Sequence, residues 1–266
     1  MASSAARAFR LLCREGRHKG QTSGLPGPAL SKCAQANLVI LPREYAADFE
    51  EFCSLNPKPC PLLEVTGVGS RNFARLGPDI DITRDVPKYC IFKDGKVVEE
   101  VYSIESYWSD NMVGFMLGCS FSFESALLEA GIPVRHIEQG TNVPMYQTNI
   151  QCIKAGIFEG PVVVSMRPFH PDVVESVINI TEKYPRVHGS PIHIGTPEDI
   201  GVDLSKPPDW GESVEIRDGE IPVFWGCGVT PQAALERAQP SFAITHAAGH
   251  MLVLDIANEE LAGTMP

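Results

Sequence analysis

The chain has 266 residues, with 22 Lys or Arg against 33 Asp or Glu, which gives a formal charge of −11. Its composition, 44% hydrophobic and 21% charged, is that of a globular protein and excludes disorder or a fibre as the main state. The acidic balance opposes binding to nucleic-acid phosphates, and the apolar runs are far shorter than the roughly 18 residues of a membrane-spanning helix. We therefore expect a soluble protein with a small-molecule substrate and without nucleic-acid or membrane partners, and the sequence leaves a homo-oligomer open.

The N-terminal segment permits two interpretations. Its first twenty residues carry five Lys or Arg against the single acid Glu15, a composition that suits an organelle transit peptide. The same residues predict a first helix over residues 5–14, which Gly16 would end. The sequence leaves both interpretations open.

The cysteine pattern bears on location. Eight cysteines are scattered along the chain without a C-x-x-C pair. A chain of this length buries a sizeable core without disulfides, so we expect reduced thiols and a reducing compartment inside the cell.

Hydrophobic spacing alternates between the two-residue period of strands and the 3.6-residue period of helices, which predicts a mixed fold. Residues 38–41 form a predicted buried strand, and Pro42 opens the helix that follows. Residues 89–93 and 96–101 flank an Asp-Gly dipeptide, which predicts a β-hairpin with a two-residue turn.

A second Asp-Gly dipeptide predicts another hairpin, between residues 213–217 and 221–225. Pro222 removes one donor from that ladder, which favours a position at a sheet edge. Three more helices have clear starts, each marked by a cap or a proline. They begin at residue 123 after the cap Ser122, at Pro171, and at Pro231 with Thr230 as N-cap.

Connectors rich in Gly and Pro occupy residues 65–79, 139–149 and 205–211. Together with the alternating periods they predict an α/β fold with mixed sheets. We expect one unit over residues 1–266, built from two subdomains that are interleaved in sequence, with a joint near residues 205–211.

A strand-to-helix junction at residues 118–120 is a candidate anion site. The amides of a helix N-terminus preceded by Gly and hydroxyl residues can hold a carboxylate or phosphate. A plain helix cap is the alternative. Cys119 at this junction has either a lowered thiol pKa or the role of a buried structural cysteine.

Arg167 ends a strand that otherwise suits a sheet interior, where an unpaired charge is costly. Its guanidinium therefore needs an anionic partner, which is either an internal acid or a substrate carboxylate in a bidentate pair. Only eight basic residues follow position 97, so Arg135 and Arg167 are the candidates for binding an acid.

Two further loops offer polar groups. In residues 135–149, Glu138 is a candidate acid or base, and Asn142 and Tyr146 are candidates for positioning a small polar ligand. A solvated loop is the alternative interpretation. The glycine-rich turn before Thr230 predicts either a carboxylate site at the helix start or a structural turn.

Four of the seven histidines form two pairs, His188 with His193 and His246 with His250. The second pair has the spacing of a helical metal site but lacks the glutamate after the first histidine, and Gly249 disfavours a helix there. We expect strands on both sides of a turn at this place, and a role in proton transfer or structural hydrogen bonding. We expect no metal and no cofactor.

Several of these segments resemble the D-glutamate cyclase family, also called hydro-lyases. The resemblance spans about residues 6–256 and rests on six short motifs. They are residues 35–42, 56–61, 118–124, 142–146, 164–168 and 245–250.

The resemblance implies an α/β protein of two subdomains, a stand-alone single unit of the family. It implies a dehydration that closes D-glutamate to 5-oxo-D-proline, and a mitochondrial location for animal members. We therefore expect the mitochondrial matrix or the cytoplasm. Alternatives are a hydro-lyase acting on a related hydroxy acid and a non-catalytic protein that binds small carboxylates.

Cyclising glutamate requires a deprotonated amine, a polarised γ-carboxyl group and an oxygen that leaves as water. Our hypothesis gives Arg167 the α-carboxylate and gives the amides and hydroxyls around Ser120 and Ser122 the γ-carboxyl oxygen.

Proton transfer in this hypothesis falls to Glu124 or Glu138 together with His246. A second hypothesis uses Cys119 and Cys227 as a thiol acid–base pair or as a nucleophile.

Overall fold

The computed structural model describes residues 2–22, 25 and 29–263. Six helices and eleven strands follow one another within this part of the chain. The helices are α1 Ala2–Arg14, α2 Arg43–Leu55, α3 Phe121–Glu129, α4 Arg135–Gln139, α5 Pro171–Thr181 and α6 Thr230–Ala238. The strands are β1 Cys33–Pro42, β2 Leu62–Val65, β3 Tyr89–Lys93, β4 Lys96–Val101, β5 Met112–Gly118, β6 Met145–Gln151, β7 Pro161–Phe169, β8 His193–Ile194, β9 Ile221–Gly226, β10 Ala243–His246 and β11 Leu252–Ala257.

The first sheet has seven strands, six of them in the order β2-β5-β1-β10-β3-β4, and β11 also pairs with β1. β1 is its central strand, and all ten of its residues are buried because neighbours lie on both sides. β10 and β11 both run antiparallel to β1, at successive positions along it. Residues 247–251 connect β10 to β11.

The second sheet has the order β6-β7-β9-β8, and its strands all come between β5 and β10 in the sequence. Every strand pairing in the described part of the chain is antiparallel. The largest apolar cluster joins both sheets, since Ile40 and Met116 belong to the same cluster as Trp225. The mixed α and β fold predicted from the sequence is confirmed, and the division into two subdomains stays a prediction.

Several predicted elements agree with the structure. The hairpin of β3 and β4 is confirmed, with Asp94 and Gly95 both at positive φ as the two-residue turn requires. The helix after Pro42 and the helix that begins at Pro171 are confirmed as well. These elements carry their signals within a few neighbouring residues.

The second predicted hairpin is wrong. Residues 213–217 form no strand, and β9 instead pairs with β7 on one side and β8 on the other. β9 therefore lies inside the sheet and not at its edge. Its Pro222 pairs with Pro168 of β7. The carbonyl of Glu215 accepts a hydrogen bond from Arg135, which gives that segment another partner.

Two helix starts are displaced from their predicted caps. α3 begins two residues earlier than predicted, so Ser122 lies in its first turn and Ser120 is the N-cap. Thr230 likewise is the first residue of α6, with Val229 as N-cap. Both hydroxyls bond a neighbouring strand instead of their own helix.

α1 is a helix, as one of the two interpretations predicted, and Gly16 follows it at a φ of +66°. Arg10 is fully buried beneath it and donates to the carboxylates of Asp79 and Asp255. α1 packs against β11, so it is part of the folded structure. Within the described residues, the search for a helix long and apolar enough to cross a membrane finds none.

Candidate functional site

A small enclosed recess lies where the two sheets meet. Its cavity volume is about 20 Å³, which is room for one or two water molecules. Of the described residues that line it, none is an Asp, Glu, Lys or Arg. The polar and thiol side chains of the lining are those of Asn37, Cys119, Ser120, Asn142, Cys227 and His246.

A larger cleft of about 320 Å³ opens at the surface beside Lys58 and His188. The Lys58 ammonium already donates to Ser190 Oγ and to the carbonyl of Pro191. The recess is the better candidate site because polar side chains from both sheets converge on it.

Two strand-to-helix junctions with the same residue pattern contribute to the wall of the recess. The first is residues 118–122 between β5 and α3, and the second is residues 226–230 between β9 and α6. Each begins with Gly-Cys and carries a hydroxyl residue three positions after the cysteine. Gly118 pairs with Ala36 of β1, and in the other sheet Gly226 pairs with Val164 of β7.

The two hydroxyls play matching structural roles. Ser122 Oγ accepts a hydrogen bond of 3.1 Å from the amide of Gln35, and Thr230 Oγ1 accepts one of 3.0 Å from the amide of Val163. Each hydroxyl thereby joins a helix to the strand beside it. Neither Ser122 nor Thr230 is among the residues of the recess wall, so the structure does not bring these two predicted binding residues to the recess.

The two junctions also leave matching amides free. Ser120 and Gly228, each one residue after the cysteine, line the recess. Within the described residues, the amide nitrogens of neither Ser120 nor Gly228 donate to any acceptor. Unbonded amides at the start of a helix carry a partial positive charge, which favours an oxyanion.

Arg167 lies behind one wall of the recess in a fully buried ion pair. Its Nε donates to Glu124 Oε1 at 2.9 Å, and its Nη2 donates to the same oxygen. Nη1 donates to Ser165 Oγ and Nη2 to Ser120 Oγ, each at 3.0 Å. The guanidinium also packs over the rings of Phe123 and Trp225.

This geometry corrects two predicted roles. Arg167 has an internal acid as its partner and does not line the recess, so it is not the clamp for a substrate carboxylate. Burial alone would raise the pKa of Glu124, but the nearby His136 ring and Arg167 guanidinium hold it below its usual value. An ionised, doubly paired Glu124 is not placed to exchange protons with a ligand. Arg167 reaches the recess only through Ser120.

His246 ends β10 and brings a ring nitrogen to the recess. Its Nδ1 lies 3.2 Å from both the amide nitrogen and the carbonyl oxygen of Leu38, while Nε2 is buried without a hydrogen-bond partner. Burial lowers the pKa of this ring to about 4, so it is neutral at pH 7. A neutral imidazole with an open nitrogen is suited to accepting a proton.

Asn142 and Gly249 line the recess next to each other, and Gly249 belongs to the connection at residues 247–251. A Cβ built on Gly249, whose φ is +80°, would stand 2.8 Å from Asn142 Nδ2. The Oδ1 atom of Asn142 is buried and has no hydrogen-bond partner. Asn142 is thus where the sequence placed it, in a position to meet a small polar ligand.

The thiols of the two junctions behave alike. Burial raises the pKa of Cys119 to about 12 and that of Cys227 to about 11, although the amides of Phe121 and Val229 oppose the shift. Of the two alternatives for Cys119, the structure favours the buried structural cysteine, because the effect of burial on the thiol pKa outweighs that of the Phe121 amide. A thiolate nucleophile at this site would be scarce at neutral pH.

Three predicted residues lie elsewhere. Arg135 is paired with Glu138 at 3.0 Å and with Glu220 at 2.6 Å. Glu138 is 40% exposed at the surface, and Tyr146 packs in the apolar cluster around α2. None of the three lines the recess. Arg135 and Glu138 form an ion pair with each other, and Tyr146 is a residue of strand β6.

The sequence interpretation did not single out Asn37, and it considered Gly228 only as part of the glycine-rich turn before Thr230. Asn37 Nδ2 donates to the carbonyl of Gly118 at 2.7 Å, and a Cβ on Gly228 would stand 2.0 Å from the same nitrogen. Gly-Cys occurs twice in the chain, each time with a hydroxyl residue three positions after the cysteine. That repeated pattern is the signal that would have linked the two junctions.

Metal ligands are not assembled in the described residues, where no group of three or more His, Cys, Asp or Glu side chains is placed to hold an ion. Of the paired histidines, His188 bonds the carbonyl of Lys58 through Nδ1, and His250 bonds that of Ala248.

Comparison with known proteins gives consistent matches. A family model described as D-glutamate cyclase matches residues 113–255. The chain is 53% identical over 259 residues to "Putative hydro-lyase YcsI" of Bacillus subtilis strain 168, which covers 97% of this chain and 99% of that protein. It is 53% identical over 253 residues to a "Putative hydro-lyase" of Clostridium beijerinckii, at 95% of each chain. It is also 51% identical over 255 residues to a "Putative hydro-lyase" of Stutzerimonas stutzeri, at 96% and 94% of the two chains.

Proposed function

Because the chain belongs to the D-glutamate cyclase family and is a hydro-lyase, we propose that it closes D-glutamate to 5-oxo-D-proline with release of one water. The α-amino nitrogen attacks the γ-carboxyl carbon to form the ring C–N bond. One γ-oxygen then leaves as water, with two protons that come from the α-ammonium group. The recess supplies groups for both halves of this reaction.

One observation carries the proposal: two buried polar atoms in the recess have no hydrogen-bond partner. They are Asn142 Oδ1 and His246 Nε2, on residues that are 3% and 1% exposed. Leaving such atoms unpaired costs roughly 1–3 kcal/mol each, so they fit a ligand that brings donors. The α-ammonium of glutamate brings three.

His246 is the proposed base. When Nδ1–H donates to the carbonyl of Leu38, Nε2 presents its lone pair to the recess. Transfer of one ammonium proton to Nε2 frees the amine for attack, while Asn142 Oδ1 holds another N–H in place. The same imidazolium then returns the proton to the departing oxygen.

The cavity is smaller than glutamate, so binding requires the wall to move. Asn142 and Gly249 form the part of the wall that belongs to connections between helices and strands. Asn142 exchanges two hydrogen bonds with Glu212, and the carbonyl of Gly249 accepts from the amide and the hydroxyl of Thr22. Outward movement of these two residues would admit the substrate, and their return would exclude water.

The test is to incubate the purified protein with D- or L-glutamate and to follow 5-oxoproline by chiral chromatography, with and without a chelator. We expect 5-oxo-D-proline from D-glutamate only, at the same rate with chelator. His246→Asn keeps an amide at the Nδ1 position and deletes Nε2, so kcat should fall roughly 10²- to 10⁴-fold. His170→Asn, at an exposed position, is the matched control. No product from either enantiomer would refute the proposal and favour dehydration of a hydroxy acid.

We extend the proposal to location in the mitochondrial matrix or the cytoplasm. The eight cysteines all lie within the described residues, where they are buried and form no disulfide. Such a set of reduced thiols suits a reducing compartment. Fractionation of cells that produce the full chain, with antibody detection, tests it, and recovery from the secreted fraction would contradict it.

A further inference from the structure

We propose that the backbone amides of Ser120 and Gly228 together form an oxyanion hole, in which the γ-oxygen of the substrate acquires its negative charge. This inference rests on the proposed function and assigns a second set of groups to the same site. It concerns the two strand-to-helix junctions, whereas the proposed base, His246, lies at the end of β10.

The first support is the equivalence of the two amides. Each lies one residue after the cysteine of a Gly-Cys junction, and each precedes or begins a helix of nine residues. Neither amide of Ser120 and Gly228 donates to an acceptor in the described structure, although both residues line an enclosed recess. Two helix N-termini therefore direct their partial positive charge toward one small volume.

The second support is independent of the helices. Asn142 Oδ1 is a buried acceptor without a partner in the same recess, and so is His246 Nε2 when Nδ1 carries the proton. The recess is thus lined by unpaired acceptors as well as by residues with unpaired amide donors. That combination matches a substrate that carries both an ammonium group and a developing oxyanion.

The closed recess offers the two amides room for one substrate oxygen. Its cavity of about 20 Å³ holds one or two water-sized groups, and the rest of the substrate enters when the wall at Asn142 and Gly249 moves. Donors fixed around a water-sized position are most useful when charge develops there during the reaction, because they need no reorganisation.

Ser120 adds a third donor. Arg167 Nη2 donates to Ser120 Oγ at 3.0 Å and so occupies one lone pair of that oxygen. The hydroxyl proton is then free for another acceptor, and the guanidinium increases its acidity. Arg167 is accordingly a positioning residue, which acts through Ser120 and does not touch substrate.

The chemistry balances without a co-reactant. As the amine forms the C–N bond, the electron pair of the γ C=O bond moves onto oxygen and creates the oxyanion next to the two amides. When that pair re-forms the C=O bond, the C–O bond to the other oxygen breaks. The ring nitrogen, which still carries two hydrogens after the attack, releases its second proton. The departing oxygen takes that proton together with the one carried by His246 and so leaves as water.

Proline substitution gives a sharp test, because Ser120 has a φ of −58° and its amide bonds nothing in the described protein. Proline imposes nearly that φ and has no N–H. Ser120→Ala removes only the hydroxyl, whereas Ser120→Pro removes the hydroxyl and the amide donor. We expect kcat/KM of the proline variant to be roughly 100-fold below that of the alanine variant or lower, with unchanged KM for D-glutamate.

A tetrahedral analogue provides the second measurement and uses the unaltered protein. D-2-amino-4-phosphonobutanoate carries a phosphonate in place of the γ-carboxyl group and resembles the oxyanion intermediate. We expect calorimetry to show it binding at least roughly tenfold more tightly than D-glutamate. Its affinity should fall in Ser120→Pro in parallel with kcat/KM and should persist better in Ser120→Ala.

The outcomes separate this inference from the proposed function. Equal kcat/KM and equal phosphonate affinity in the proline and alanine variants overturn the oxyanion hole, as does phosphonate binding no tighter than that of D-glutamate. Suppose that the wild type binds the phosphonate but forms no 5-oxoproline, and that Ser120→Pro does not bind the phosphonate. The oxyanion hole then stands and the proposed function falls. Should Ser120→Pro not fold, the phosphonate comparison on the wild type decides alone.

Discussion

Arg167 donates two hydrogen bonds to one oxygen of Glu124 inside a core that leaves Arg167 0% and Glu124 3% exposed. Such a pair is sensitive to the loss of either partner, because the remaining charge stays buried without compensation. It also fixes Ser120 Oγ, and through it one wall of the recess.

Arg167→Met should therefore lower the free energy of unfolding by about 3–5 kcal/mol, the usual cost of a broken buried pair. Adding Glu124→Gln to that variant removes the stranded charge and should restore part of the loss. Urea denaturation of the two single variants and the double variant measures the coupling. Lys206→Met, which breaks an exposed pair with Asp203, is the control and should leave stability unchanged. Additive effects of the two core substitutions would contradict the pairing.

Stability should fall as pH falls from about 6.5 to 4. Burial lowers the pKa of His188 to about 4, with the charge of Arg167 acting in the same direction, and burial lowers that of His246 to about 4. In this window the unfolded chain binds protons on both rings and the folded protein does not, so acid favours unfolding by up to about 3 kcal/mol for each ring. Above about pH 6.5 both states are neutral at these rings and their contribution is constant.

The variant for this prediction is His188→Asn, since His188 has a φ of +84° and asparagine tolerates that region. Unfolding free energy measured from pH 4 to 7 should depend less on pH in His188→Asn than in the wild type. His170→Asn, at an exposed site, should leave the slope unchanged. A wild-type slope retained in His188→Asn would refute the assignment.

Gly249→Ala should impair both stability and activity. Gly249 and Gly131 have φ values of +80° and +75°, so alanine is strained at either position by roughly 1 kcal/mol. Only at Gly249 does the new methyl group meet Asn142, whereas nothing lies within 4 Å at Gly131. We expect kcat/KM for D-glutamate to fall about tenfold or more in Gly249→Ala, by displacement of a positioning side chain. Gly131→Ala should show the stability loss alone, and equal kinetics of the two variants would remove Asn142 from the site.

Native protein should resist alkylation of its junction thiols. With pKa values of about 12 and 11, Cys119 and Cys227 expose a thiolate fraction on the order of a thousandfold below that of free cysteine at pH 7.5. Activity should thus persist during iodoacetamide treatment, and mass spectrometry should find these two residues unlabelled until denaturant is added. Rapid inactivation that substrate prevents would instead support a catalytic thiol.

Signals confined to a few neighbouring residues predicted the fold well. Asp94-Gly95 specifies its own turn, and Pro171 specifies the start of its helix whatever lies around it. Residues 213–217 have an equally good local signal, but β7 and β8 occupy both edges of β9 and leave no place for a further strand. Strand pairing is a long-range outcome, which local pattern does not determine.

The site was predictable in part, for the same reason. Sequence showed that Arg167 needs an anion, yet Glu124 lies 43 positions away and only the fold brings the two together. Ser120, Asn142 and His246 were found from their local setting and do line the recess. Gly228 has no side chain to attract notice, since its contribution is a backbone amide whose importance depends on the opposite junction.

The buried guanidinium of Arg10 bears on how this protein can be produced and shortened. It donates to Asp79 and Asp255 and lies 3.6 Å from Asp85, so a version that starts after α1 would leave three aspartates crowded together without their counter-ion. Mutual repulsion among these three carboxylates would destabilise the side of the first sheet that α1 covers. Helix α1, Ala2–Arg14, thus belongs to the part of the chain that must be retained for folding.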